Sequence, residues 1–94
     1  MDFIASQIFF YLKKDTDNAI LSFESSDGVT VPFFSSVDTA REFLEQARIR
    51  GHGIDMISPT EFGAFADACK AAGAKYLQLD PMADVFKTAK LKSL

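Results

Sequence analysis

The chain has 94 residues, room for one small domain, and its 48% hydrophobic and 24% charged side chains are ordinary globular composition rather than that of a disordered, collagen-like or membrane chain. A net charge of −3 argues against a protein whose work is neutralising nucleic-acid phosphates. A chain this short buries only about 60–65% of its unfolded surface, so its ten Phe and two Tyr have to supply much of the core.

In chain order, a short helical or irregular start precedes the aromatic run from Ile8 to Lys13, which reads as a strand and ends in the polar cluster Lys14-Asp15-Thr16-Asp17-Asn18. Segments 19–25 and 28–35 flank Ser26-Asp27-Gly28, and Asp-Gly tolerates the positive φ of a tight hairpin. Pro32 lacks an N–H for a ladder, so its strand is expected at an edge or with a bulge. The period then changes. Val37, Ala40, Phe43, Leu44 and Ala47 recur at helical spacing, with Ser36 or Asp38 to cap the start and Gly51 and Gly53 to end it. Residues 54–57 read as a strand. Ser58-Pro59-Thr60-Glu61 has the chemistry of a capping box and opens a second helix, whose stripe is Phe62, Phe65, Ala66 and Cys69 and whose C-cap is Gly73. A strand over 75–79 stops at Asp80-Pro81. Met82, Val85, Phe86 and Ala89 keep helical spacing, which predicts a tail helix over 82–94. The result is a single α+β domain over 1–94, with one mixed sheet, helices on one face, and the order β-β-β-α-β-α-β plus a C-terminal helix.

The stretch Asp27-Gly28-Val29-Thr30-Val31-Pro32-Phe33-Phe34-Ser35-Ser36, followed by helix, strand, helix and a strand ending in Asp80-Pro81, resembles the N-terminal domain of SseB-like proteins. This bacterial family is named after an enhanced-serine-sensitivity protein. The resemblance covers roughly residues 8–81 and departs from the family's Thr-Ser pair at Ser35-Ser36. It implies a fold and no catalytic residues.

Cys69 is the only cysteine, which excludes an internal disulfide framework and suits a reducing compartment. The N-terminus has no basic leader and no run is long enough to span a membrane, so a cytoplasmic protein is expected. Cys69 shares the apolar stripe of its helix, where a thiol behaves as a small hydrophobe with a raised pKa. His52, between Gly51 and Gly53, reads as a turn residue. Asp55, Glu61 and Asp67 match no metal-ligand spacing, and six residues of helix put Glu61 and Asp67 on different faces. Phosphate-binding glycine motifs are absent. These readings lead to a non-catalytic module with no cofactor and no metal.

The aromatic residues point elsewhere. Strand alternation separates Phe9 and Tyr11 from Phe10, and Phe33 from Phe34. With Phe33 assigned to the core, Phe9, Tyr11 and Phe34 are left over for a second face. That face is expected either to lie under the chain's own ends or to dock a protein partner, most simply a second copy in a homodimer. Phe9, Tyr11, Phe34, Met82 and Phe86 are the candidate interface. The other reading is a small-ligand cleft near His52 and Asp55.

Overall fold

A computed structural model of the chain describes residues 7–94. Its elements are β1 (Phe9–Lys14), β2 (Leu21–Ser25), β3 (Gly28–Phe34), α1 (Val37–Gln46), β4 (His52–Ile57), a 3-10 turn (Pro59–Glu61) leading into α2 (Phe62–Ala71), β5 (Tyr76–Leu79), a second 3-10 turn (Ala83–Phe86) and β6 (Lys90–Ser93). The six strands form one sheet in the order β4-β1-β3-β2-β6, with β5 attached to β3. β5 runs parallel to β3 and every other pairing is antiparallel, so the fold is α+β with a single mixed sheet. The helical or irregular start falls largely on residues 1–6, outside the described residues.

β3 organises the sheet. Its hairpin with β2 turns through Ser26 and Asp27, and Gly28 has φ +130°, a conformation open to glycine. A Cβ there would come within 3.0 Å of the Lys75 side chain, so glycine also lets the residue just ahead of β5 approach. β3 is paired along both edges, so of the two placements expected for Pro32, an edge or a bulge, the edge does not hold. The carbonyls of Val29 and Phe33 accept from Lys75 and Asp80 on the β5 side. Main-chain groups alternate, so residue 32 faces the opposite edge. On that edge β2 pairs as far as Thr30 and β1 begins at Phe33. Pro32 therefore faces the junction between two successive partners, where no ladder bond is demanded of it.

The helices lie on opposite faces of the sheet, not on one. Phe10, Leu12, Leu21, Phe23 and Phe34 pack with Ala40 and Phe43 of α1, while Phe9, Tyr11, Val31 and Phe33 pack with Phe62, Phe65 and Cys69 of α2. The cause is in the strands themselves: β1 and β3 carry large apolar side chains at consecutive positions, so both faces need a cover. Ring contacts mark each layer, Phe34 to Phe43 at 5.3 Å on one side and Phe9 to Phe62 at 5.3 Å on the other.

Helix ends follow local chemistry, with one exception. The Ser36 hydroxyl caps α1 by accepting from the Thr39 N–H at 3.1 Å. The Glu61 carboxylate reaches back to the Ser58 N–H at 3.3 Å and its hydroxyl at 2.7 Å, securing the 3-10 entry to α2. α2 stops at Gly73, φ +110°, with the Ala74 N–H bonded to the Cys69 carbonyl. α1 stops in the same way well before Gly51: the Ile49 N–H bonds the Leu44 carbonyl, and the left-handed position belongs to Arg48, φ +56°.

The tail is not a helix. Only Ala83–Phe86 form a turn of 3-10 helix, and Lys90–Ser93 add a strand along the edge of β2 that β3 leaves free. The apolar spacing of residues 82–89 serves that turn, which lays Ala83, Phe86 and Ala89 onto the α1 face, with Phe86 stacked on Phe23 at 4.2 Å. Beyond it, β6 satisfies an otherwise bare strand edge: the fully buried Ser22 hydroxyl donates to the Lys92 carbonyl at 2.7 Å. Asp80, at φ +48°, ties the end of β5 to the start of α1, accepting from the Ser35 N–H at 2.9 Å and the Ser35 hydroxyl at 2.7 Å.

Candidate interaction surface

Phe9 and Phe34 are buried at 3% and 1% exposure, by α2 and α1 respectively. They are not open to a partner, which corrects the expected aromatic docking face. Tyr11 is half-buried against Phe65, with ring centroids 4.9 Å apart. Phe86 is half-buried between Phe23 and Phe43. Met82 alone of the five is strongly exposed, at 69%.

Of the cleft expected near His52 and Asp55, only the Asp55 side is present: a hollow of about 410 Å³ is lined by Tyr11, Asp55, Met56, Glu61 and Phe65 and does not include His52. The two residues lie three apart on β4, so their side chains leave opposite faces of the strand. The Nδ1 of His52 lies 3.0 Å from the Arg50 carbonyl. Asp55 instead meets Tyr11 and Lys13 on β1: the Lys13 ammonium donates to Oδ2 at 3.1 Å, the Tyr11 hydroxyl donates to the same oxygen at 3.3 Å, and the Met56 N–H donates to Oδ1 at 2.9 Å. The hydrogen bond from Lys13 holds the Asp55 carboxyl below its usual range, and that partner in turn raises Lys13. Burial, then the neighbouring Asp55 charge, pushes the Tyr11 hydroxyl up. Each group is thus fixed in its neutral-pH form, an ion pair buttressed by a phenol, and none is poised to exchange a proton near neutrality. Cys69 is fully buried in the α2 layer, and burial pushes its thiol up to about 11.

The apolar surface left uncovered is concentrated near the C-terminal end. Among the described residues, Ile8, Val37, Met56, Tyr76, Leu79, Met82, Val85 and Leu91 are the exposed large hydrophobics, and five of these eight fall within residues 76–91. The tail from Met82 to Leu91 crosses the α1 face and leaves a groove on either side. One, of about 360 Å³, runs between the tail and β5 and is lined by Thr30, Tyr76, Gln78 and Val85. The other, of about 800 Å³, runs between the tail and the end of α1 and is lined by Ala47, Ile49, Met82 and Leu91. Phe23, Phe86 and Ala89 form the floor common to both.

Among the described residues β5 pairs only with β3. Lys75, and by alternation Leu77, turn main-chain groups toward β3, which leaves those of Tyr76 and Gln78 facing outward. Of the other free edges, β6 presents Lys90 and Lys92, charges that discourage strand pairing, and β4 carries the charged Asp55, whereas Tyr76, Gln78 and Leu79 at the β5 edge carry no charge. Of the exposed residues near the C-terminal end, the sequence reading named Met82 for the interface and did not name Tyr76, Leu79 and Leu91. The available signal is the alternation Lys90-Leu91-Lys92, which the expected tail helix over 82–94 absorbed.

No known protein family matches the chain, nor does any curated protein or solved structure. No helix among the described residues is long and apolar enough to cross a membrane.

Proposed function

We propose that the chain is a non-catalytic protein-interaction module that pairs with a second copy of itself across the outer edge of β5. The observation that carries the reading is the edge of β5, unpaired among the described residues and without charged side chains over Tyr76–Leu79, flanked by Val85 and the exposed Tyr76, whose ring lies under the Lys75 ammonium, on one face and Leu79 on the other. An antiparallel pairing of two β5 strands satisfies the outward groups of Tyr76 and Gln78 and brings these apolar side chains together. The state of the chemical groups supports a non-catalytic role: the thiol is buried and Asp55 is held by Lys13. A cytoplasmic, reducing location fits the single free cysteine. The SseB-like resemblance belongs to the same proposal and rests on the sequence alone, on the stretch from Asp27 to Ser36 and the Asp80-Pro81 strand end.

Light scattering at tens of micromolar tests the pairing. The wild type is expected to run as a dimer, and Tyr76→Lys combined with Val85→Lys as a folded monomer with unchanged circular dichroism. A wild type that stays monomeric over the concentration range overturns the proposal.

A further inference from the structure

The groove between the tail and the end of α1 has a basic rim in a chain that is acidic overall. Arg48 and Lys87 line it, and a shallower trough sharing Arg48 and Ile49 continues past Arg41 and Arg50. The carboxylates facing these cations are Asp84 on the tail and Glu45 on α1. Arg41 is bonded to Asp38, but among the described residues no carboxylate pairs with Arg48, Arg50 or Lys87. Arg48 is also held at a conformational cost. It takes the left-handed position that closes α1, where glycine closes α2, and a side chain there is strained. The residue that would relieve the strain would remove the cation.

From this combination of an apolar floor, unpaired cations on the rim and an exposed Met82 and Leu91 on the walls, we propose that the groove docks an apolar peptide segment bearing acidic side chains. The apolar residues of the segment fill the space over Phe86 and Ala47, and its carboxylates meet Arg48 and Lys87. This site lies on the far side of the tail from the β5 edge, so it stands or falls independently of self-association.

Fluorescence anisotropy with a labelled amphipathic peptide of leucine and glutamate tests it, with the lysine-for-glutamate peptide as control. The acidic peptide is expected to bind at least about tenfold more tightly than the control, and more weakly as salt rises. Arg48→Gly is expected to melt at the same or a higher temperature than the wild type yet lose about tenfold in affinity, and Lys87→Glu to lose a similar factor. Equal binding of the two peptides, undiminished binding by both variants, or sedimentation with phosphatidylglycerol vesicles in place of peptide binding overturns the proposal.

Discussion

Asp55 shows how much one carboxylate can be constrained by a neighbouring strand. Its pKa is depressed in the folded chain, so its contribution to stability is present above the unfolded pKa and is lost as pH falls through the folded one. Lys13 is raised, so its share is present below its unfolded pKa and is lost as pH rises through the folded one. Asp55→Asn is therefore expected to be less stable than wild type at pH 7, with the gap narrowing at an acid pH below the depressed folded pKa of Asp55, where both chains lack the charge. Urea denaturation at the two pH values checks this; an unchanged gap would show that the pair adds nothing. The inert thiol was legible from helical spacing alone, because Cys69 lies seven residues beyond Phe62 and four beyond Phe65, on one stripe. Asp55's partners were not. They come from a strand more than forty residues earlier in the chain, and only the pairing of Tyr11 with Asp55 brings them together.

At the scale of elements, the Asp80 clamp is the most economical long-range tie. One side chain accepts two hydrogen bonds from Ser35 and so joins the end of β5 to the entrance of α1. Asp80→Ala is expected to cost about 1–2 kcal/mol, since it removes these charge-assisted bonds and places a Cβ-bearing residue without a polar anchor at φ +48°. Asp80→Gly should recover part of that loss by accepting the backbone conformation, and thermal melting of the two variants separates the contributions. The first five strands and both helices were readable from period and caps, as were the hairpin at Gly28 and the entry at Ser58. The tail was not, because Met82, Val85, Phe86 and Ala89 satisfy a helical period without needing a helix. What decides the conformation of residues 90–93 is the unpaired edge of β2, which local sequence does not announce.

For the molecule as a whole, the three-layer arrangement turns rings that looked superfluous into two cores. Phe34 is among the largest fully buried side chains, and Phe34→Ala is expected to cost about 3–5 kcal/mol. Set against a total of about 5–15 kcal/mol for a domain, that loss is a large fraction of the stability, and a charged residue at Phe34 or Phe9 should destabilise the fold itself rather than merely block an interface. A variant at Phe34 that kept wild-type urea resistance would contradict the buried assignment. Alternation within each strand was readable in advance, but the matching of faces between strands was not. Phe10 stands opposite Phe34 and Tyr11 opposite Phe33, so Phe9 and Tyr11 share a layer with Phe33, while Phe34 belongs to the other. A shift of one residue in that register exchanges the layers.

The last strand also has a bearing on how the chain is made. β2 is synthesised early, yet its second edge waits for Lys90–Ser93, some seventy residues later, to close over the Ser22 hydroxyl. A growing chain can complete the hairpin and both helices while that edge is still bare and able to pair with another nascent chain. The order in which the ribosome delivers the strands thus makes β6 a late safeguard against misassembly.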